Sequence, residues 1–236
     1  MARRRVNTTK YEIIQEATRL FLTKGYSNTT PKQICDTLDI STGNLTYYFP
    51  TKEHLLAVLV DMLCRFQAKT IQDMVEEDGV TSLLAVCTEL TSMAAMSEDS
   101  QIAKDLFLSA YSSPICLEII RRNDAKRSRI IYKEFCSDWT EQQFVEAETL
   151  VSGIEYATLM TTGDSSPLEV RIAGALNSIL MIYDVPEQLR KQKISKALTI
   201  DYHTHGRYVL EKFIEFVEQT NEHTFEALLN GTYQEM

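Results

Sequence analysis

Glycine and proline are scarce in this sequence, and long apolar runs are missing. With 8 glycines and 5 prolines in 236 residues, the chain lacks the turn residues that many short strands require, so long uninterrupted helices are expected. A membrane-spanning helix needs an apolar run of about 18 residues. The best candidate, residues 173–185, is shorter and contains Asn177, Ser178 and Asp184. We therefore expect no membrane partner.

The sequence also lacks a cysteine pattern and a leader segment. Five cysteines are an odd number, and no two have the Cys-x-x-Cys spacing. This excludes a disulfide framework and argues against a zinc site, so reduced, buried thiols are predicted. The chain begins with Arg3-Arg4-Arg5, but no apolar segment follows as in a secretory signal. The expected location is cytoplasmic. The cysteines are Cys35, Cys64, Cys87, Cys116 and Cys136.

None of the common catalytic motifs occurs. There is no Gly-rich phosphate loop, no Gly-x-Ser-x-Gly and no His-Glu-x-x-His, so we expect no enzyme and no cofactor. His203 and His205 suggest a metal site, but residues two positions apart on a helix face different directions and cannot easily share an ion. We expect no metal and interpret His205 as a core or interface residue. The basic stretch 121–129 is interpreted as a solvated helix face.

Charge is unevenly distributed along the chain. Residues 1–55 hold eight basic and five acidic residues, a net charge of +3, whereas the remaining residues carry a net charge of −12. A small basic region on a large acidic body suits a protein that presents one end to a polyanion. A chance fluctuation also gives a net charge of +3, so charge alone decides little.

The N-terminal fifty residues predict three short helices. Thr9 to Glu12 fits a capping box that opens the first, and Gly25 is its expected left-handed stop. Thr30 to Gln33 fits a second capping box, with proline at the first helical position. Ser41 is expected to cap a third helix over residues 42–48. The close succession of the last two is typical of a helix-turn-helix motif.

The rest of the chain also predicts helices and no strands. Ser166 to Glu169 fits a further capping box with proline. Two apolar faces with helical spacing follow it, and we expect them to form the helical bundle of a dimer, although either could be intramolecular core. Breaks are predicted near residues 78–79, 113–114, 163–167, 185–186 and 230–231. The two faces are Ile172, Leu176, Ile179, Leu180 and Tyr183, and Leu198, Tyr202, Val209 and Phe213; Phe144, Val151 and Ile154 mark a rival helix.

The segment from Ser41 to Leu56 is the most informative. Leu45 and Phe49, four residues apart, can anchor one face of the short helix in the core, while Gly43 lets its backbone approach a neighbour closely. Lys52 begins the next helix, where free N–H groups favour a phosphate. The outer face presents groups that suit phosphate and base contacts, from Thr42, Thr46, Tyr47 and Tyr48.

In this segment the chain resembles the TetR-type transcriptional regulators. A solvent-exposed helical hairpin is the alternative interpretation of the motif. Two positions depart from the family pattern: Asp39 stands where the turn usually has glycine, and Thr46 where a phosphate-contacting tyrosine is usual. The matching residues are Ile13-Ile14, Ala17, Leu20-Phe21, Lys24-Gly25-Tyr26, Thr29-Thr30, Ile34-Cys35, Leu38, Ile40-Ser41, Gly43-Asn44-Leu45, Tyr48 to Glu53 and Leu55-Leu56.

The resemblance implies an all-α protein with a three-helix helix-turn-helix DNA-binding head followed by a larger helical ligand-binding and dimerisation body. The head is expected at residues 1–50 and the effector-binding and dimerisation body at 51–236, with a linking helix at 51–77. The DNA-binding positions that it implies are Lys32, Ser41, Thr42, Gly43, Asn44, Thr46, Tyr47, Tyr48 and Lys52.

The functional expectation is a homodimeric regulator, and more specifically a repressor, that a small lipophilic effector releases from a palindromic double-stranded DNA operator. The alternative is a factor of the same fold that binds DNA or a protein without an effector. An all-α enzyme is a third class of function, which no motif supports. No effector-binding residue is predicted firmly, although an adaptable cavity could use Met93, Met96, Tyr111, Tyr132, Trp139 and Tyr156.

Overall fold

The computed structural model of the chain describes residues 8–76 and 81–230. Within these ranges the chain forms α-helices and no strand, which confirms the all-α prediction. The same ranges contain no helix with both the length and the apolarity to cross a bilayer. The predicted breaks at 78–79 and at Gly231, and the three arginines at 3–5, lie outside the described residues.

The helices divide into three N-terminal ones, of which the second and third are short, and a series that follows. The first three are α1 (Thr9–Lys24), α2 (Pro31–Leu38) and α3 (Thr42–Tyr48). The remainder are α4 (Lys52–Glu76), α5 (Ser82–Asp99), α6 (Gln101–Ser112), α7 (Pro114–Ile131), α8 (Glu141–Leu159), α9 (Leu168–Ile182), α10 (Glu187–Leu198) and α11 (Tyr202–Leu229).

Local capping explains α2 and α3. The Thr30 side chain accepts a hydrogen bond from the Gln33 N–H, and Gln33 reaches back to the Thr30 N–H, so the predicted capping box is confirmed. Ser41 caps α3 by accepting from the Asn44 N–H, as predicted. Asp39 ends α2 in the left-handed region, with φ 51° and ψ 45°. An aspartate therefore takes the turn position usually held by glycine.

Two predicted caps are wrong. Thr8, not Thr9, is the N-cap of α1, and its hydroxyl donates to the Glu12 carboxylate at 2.7 Å instead of capping a backbone N–H. Helix α9 begins at Leu168 behind an extended Pro167, whose carbonyl accepts the first helical hydrogen bonds, so Ser166 lies too early to cap it. Gly25 ends α1 with a φ of 90°, but its ψ of 153° is not that of a left-handed helix.

Two apolar clusters form the core of the described part of the chain. One fills the body between α5, α8 and α9, and the other joins α1, α2 and α3 to side chains of α4, α6, α7 and α11. Leu106 and Ala110 on α6 and Phe213 on α11 belong to this second cluster. The three N-terminal helices therefore rest directly on the helices that follow them.

The first of the two faces predicted for a dimer bundle consists of core residues of the single chain. On α9 and at its C-cap, Ile172, Leu176, Ile179, Leu180 and Tyr183 are all less than 5% exposed. On the other face, Phe213 is buried, and Leu198, Tyr202 and Val209 pack partly buried against the body cluster. The prediction is wrong for the α9 face, because an apolar helix face has the same sequence pattern whether it packs within a chain or between chains.

Two further predictions concern buried side chains. All five cysteines are free and buried, as predicted, and burial raises the pKa of the Cys87 thiol to about 12. The interpretation of residues 121–129 as a solvated face is wrong for Arg127, which forms ion pairs of 2.9 Å with Glu89 and Asp124. Within the same stretch, Arg121 donates to the Ser152 hydroxyl at 2.9 Å.

Candidate nucleic-acid interface

Buried side chains on α2 and α3 determine which faces of the two helices point outward. Leu45 is 1% exposed and Phe49 6%, so the predicted anchors of α3 are confirmed. On α2, Ile34 and Cys35 face the same cluster. Because both helices are short and anchored, their remaining side chains have little freedom to turn inward.

The predicted DNA-facing side chains lie on the outside of this unit. Tyr47 is 81% exposed, and its ring meets the half-buried Tyr48 ring edge to face, with centroids 5.0 Å apart. The structure brings the α3 residues together around one short helix with Lys32 on the preceding one. The other exposed members of the set are Lys32, Ser41, Thr42, Gly43, Asn44 and Thr46.

Gly43 has room on its outer side. Among the described residues, the nearest atom that a Cβ at this position would meet is the Ser41 hydroxyl, 3.8 Å away. The expectation that Gly43 allows close approach to a neighbour within the fold is therefore wrong. The open space instead allows an outside surface to approach the α3 backbone.

Thr46 uses its hydroxyl inside its own helix. The hydroxyl donates toward the carbonyl oxygens of Thr42 at 3.1 Å and Gly43 at 3.2 Å. The donor is thus engaged, which leaves the methyl group as the part of this exposed side chain best able to recognise a base. A thymine methyl is its natural apolar partner in a major groove.

Lys52 is engaged by the turn between α1 and α2. Its ammonium donates to the carbonyl oxygens of Tyr26 and Thr29, both at 3.0 Å, and lies 3.9 Å from the centre of the Tyr26 ring. Partial burial lowers the pKa of this lysine. An ammonium has three N–H donors, so one remains for the predicted phosphate contact.

The body contains a buried polar cluster that the sequence interpretation missed. Glu148 is 2% exposed and accepts from Ser128 at 2.6 Å and from Tyr183. Glu155 accepts from Tyr111 at 2.8 Å. A signal existed, because Glu148 lies four residues after Phe144 and three before Val151, on an apolar helix face.

The carboxyl groups of this cluster have raised pKa values. Burial is the main cause for Glu148 and for Glu155, whose pKa lies well above its usual range. Burial also raises the pKa of Asp124 to about 7, although Arg127 opposes the shift. The cluster therefore holds more carboxyl groups than its arginine neutralises.

Two neighbouring cavities lie beside this cluster, each of about 50 Å³. The first is lined by the polar cluster together with Tyr111 and Tyr132. The second is lined mainly by apolar side chains, among them Met93 and Met96, and also by His205. Met93 lines both. Trp139 and Tyr156 do not line either cavity, and Trp139 packs on Phe144 and Tyr183 instead.

The two histidines considered for a metal site have separate surroundings. The Nδ1 atom of His203 lies 3.0 Å from the Asp99 carboxylate. His205 is half-buried in the second cavity, where burial lowers its pKa. Their side chains therefore contact different parts of the body.

Comparison with known proteins is consistent with this geometry. RolR, crystallised without ligand, has a similar fold, with a TM-score of 0.58 and 15% identity over 78% of this chain and 95% of that chain. The probable HTH-type transcriptional regulator YttP of Bacillus subtilis (strain 168) is 34% identical over 65 residues. That match covers 28% of this chain and 31% of YttP, so it spans less than a third of that relative. Residues 13–59, which contain α2 and α3, match the family of bacterial regulatory proteins called the tetR family. The chain therefore carries the N-terminal domain of the tetR family.

Proposed function

We propose that the chain is a transcriptional regulator that binds an operator as a homodimer and represses until a small lipophilic molecule releases it. The observation that carries the DNA-binding part is the exposed polar face of α3, held outward by the buried Leu45 and Phe49. In a helix-turn-helix unit the second helix enters the major groove. Here that helix is α3.

Within this unit we assign two kinds of contact. Thr42, Gly43, Asn44 and Thr46 lie on α3, where base edges are reached, while Ser41, Tyr47 and Tyr48 provide hydroxyls for phosphates. Lys32 and Lys52 add positive charge at either side of the helix. Phosphate contacts position the head, and base contacts supply its preference for sequence.

The homodimer requires an exposed apolar surface, and α8 carries one. Leu150 is 61% exposed and Met160 43%, and between them lie the exposed Gly153 and Ala157. The spacing of three and four residues aligns Leu150, Gly153 and Ala157 on one face of α8, and Met160 directly follows the last residue of the helix. Apart from its chain neighbours and the backbone of its own helix, no described residue comes within 4 Å of a Cβ built at Gly153, so a second helix has room to approach closely.

Helix α9 carries a matching stripe beside it. Val170 is 59% exposed and Met181 53%, with the exposed Gly174 and Ser178 between them. We name these eight residues, on α8 and α9 and at the C-cap of α8, the exposed stripe. A second copy would pair its own two helices with these two and form a four-helix bundle. This face replaces the buried face of α9 as our candidate interface.

The effector site that we propose is the pair of neighbouring cavities. Each alone is too small for a drug-sized molecule, because ligand pockets usually measure about 300–1,000 Å³. Met93 lies between them, with its sulfur 3.8 Å from the Gln67 amide, and methionine side chains adapt readily to a ligand. Its displacement would join an apolar space to a polar one whose surplus carboxyl groups favour a neutral or cationic molecule over an anion.

Selection from a library of random duplexes tests the proposed function. The expected product is an inverted repeat, because a two-fold dimer reads two half-sites. A lipophile library can then be screened for molecules that release the selected duplex, with fluorescence anisotropy as the readout. Release would support the effector, whereas tight ligand binding without release would favour the alternative of a DNA-binding factor with no effector switch. Recovery of random sequence would contradict the proposal.

A further inference from the structure

A carboxylate of the body holds the turn that leads into the DNA-facing helices. Asp105, on α6, accepts a hydrogen bond from the Ser27 backbone N–H at 2.8 Å and another from the Ser27 hydroxyl. The two residues are 78 positions apart in the chain. Both oxygens of one carboxylate therefore bind a single residue of the α1–α2 turn.

The turn is shaped around this carboxylate. A Cβ built on Gly25 would lie 2.9 Å from Oδ2 of Asp105, closer than real Cβ contacts allow. Gly25 also has a φ of 90°, which side-chain-bearing residues rarely adopt. Glycine at this position thus gives the turn its path and leaves room for the carboxylate.

The turn is also held by the residue that begins α4. Lys52 donates to the carbonyls of Tyr26 and Thr29, and the buried Thr29 hydroxyl donates to the Gly25 carbonyl at 2.8 Å. The next residue, Thr30, is the N-cap of α2. Few residues separate Ser27 from that cap. A shift of Asp105 would therefore also move the start of α2.

Helix α6 also lines the two cavities. Leu106 and Ala103 line the second cavity, Ala110 lines the first, and Phe107 lines both. Asp105 directly precedes two of these residues. A molecule that enlarged either cavity would displace α6 within one helical turn of Asp105, the residue that hydrogen-bonds to the α1–α2 turn.

We propose that Asp105 is a positioning residue that couples the cavity-lining helix α6 to the DNA-binding head. The coupling to DNA rests on the function proposed above. Asp105 acts without contacting a base or a phosphate. It sets where the α1–α2 turn, and therefore α2, stands relative to α6.

Hydrogen exchange followed by mass spectrometry tests the coupling in the full chain without DNA. We expect Asp105→Ala to speed exchange at least tenfold in residues 25–30. The head-side change Ser27→Ala should in turn speed exchange in residues 101–112. The matched control is Lys104→Ala, because Lys104 is the preceding residue and its ammonium binds the Thr161 hydroxyl, at 2.6 Å, within the body. This control should leave residues 25–30 unchanged.

A second arm adds the duplex selected by the wild-type protein, at saturating concentration. Binding sites that are coupled must affect each other reciprocally. DNA should therefore slow exchange in residues 101–112 of the wild type and of Lys104→Ala. In Asp105→Ala this protection should be lost while residues 42–48 stay protected. The variant Asp105→Asn, which keeps one acceptor oxygen, should restore part of it.

The two arms distinguish a failure of the coupling from a failure of the proposed function. Equal protection of residues 101–112 in Asp105→Ala and wild type would overturn the coupling, as would unchanged exchange at 25–30 without DNA. If the wild type binds no duplex, the proposed function fails. The DNA-free arm then still decides whether Asp105 and Ser27 link α6 to the turn.

Discussion

The ammonium of Lys52 lies between the Tyr26 ring, 3.9 Å from its centre, and the Tyr26 carbonyl oxygen, 3.0 Å away. Lys52 is the first residue of α4, and Tyr26 belongs to the turn before α2. One side chain thus joins the linking helix to the head. The predicted phosphate contact of Lys52 remains a proposal, to which the structure adds this role in holding the turn.

Replacing Lys52 should reveal both roles. We expect Lys52→Met to lower the free energy of unfolding by about 1–2 kcal/mol, because two hydrogen bonds from a charged but partly solvated group are lost. If the third N–H also binds a phosphate, the salt dependence of DNA binding falls by about one counterion. Chemical denaturation and binding titrations at several salt concentrations measure the two effects.

Two lysine controls accompany this experiment. Lys32→Ala should reduce the salt slope by about 1 without loss of stability, because Lys32 is exposed on α2. Lys196→Ala, on the exposed surface of α10, should change neither quantity. An unchanged stability of Lys52→Met would contradict the role in holding the turn.

Thr46 should influence which base is preferred. Its hydroxyl is engaged by the Thr42 and Gly43 carbonyls, so we expect Thr46→Val, which keeps the methyl, to select nearly the same duplex as the wild type. Thr46→Tyr should select a different one, because the ring reaches farther into the groove. Sequencing after selection gives the result. Identical sites for Thr46→Tyr and wild type would remove Thr46 from the base-reading residues.

The head could be predicted largely from the sequence because its signals are local. Thr30 and Ser41 cap their helices as expected, and Leu45 and Phe49 are buried at a four-residue spacing. The contact between Ser27 and Asp105 could not be predicted, since nothing local marks two polar residues 78 positions apart as partners. A sequence feature related to this contact is Gly25, because the Asp105 carboxylate lies where it would clash with a Cβ at that position.

Leu150 should be needed for dimerisation. We expect Leu150→Glu to give a folded monomer that binds the operator weakly, because a charge would be buried without a partner in the bundle. The matched control is Ile130→Glu, on α7 outside the exposed stripe, where the side chain is 78% exposed. Sedimentation velocity distinguishes the two states. A dimeric Leu150→Glu protein would move the interface away from the exposed stripe.

Leu176 gives the complementary test. This residue is 1% exposed inside the body, so Leu176→Glu should lower stability by several kcal/mol or prevent folding. Circular dichroism during thermal unfolding measures the effect. A stably folded, monomeric Leu176→Glu protein would instead support the buried face of α9 as the interface.

The two faces of α9 show that sequence alone does not distinguish a core face from an interface face. The face with Ile172 and Leu176 is strongly apolar, and for this reason the sequence predicts an interface there. In the structure, the body buries this face. The exposed face has the weaker pattern of Val170, Gly174 and Met181, with small residues between large ones. Packing within the chain decides which face is left free, and that packing depends on helices far away in sequence.

Glu148 should make stability depend on pH. Burial raises its folded-state pKa above the usual value of about 4.3, so the folded protein binds this proton more tightly than the unfolded chain does. The stabilisation is present below about pH 4.3 and is lost as pH rises toward the raised pKa. Glu148→Gln keeps an oxygen to accept from Ser128 and Tyr183 but does not titrate.

The expected result is a stability difference between Glu148→Gln and wild type that grows in favour of the variant above about pH 4.3. The slope is at most about 1.4 kcal/mol per pH unit. Denaturation from pH 4 to 8 measures it. Glu187→Gln is the surface control: because Lys191 lowers the pKa of Glu187, that difference should not grow with pH. If the stability difference between Glu148→Gln and wild type stayed constant with pH, this would contradict the raised pKa of Glu148.

The central claim is that the exposed face of α3 reads DNA sequence, and the most direct measurement is a ratio of dissociation constants. The wild-type chain is titrated with its selected duplex and with a scrambled duplex of equal composition, at one physiological salt concentration. We expect the selected duplex to bind at least about 10³-fold more tightly. Equal affinity for the two duplexes would contradict the claim.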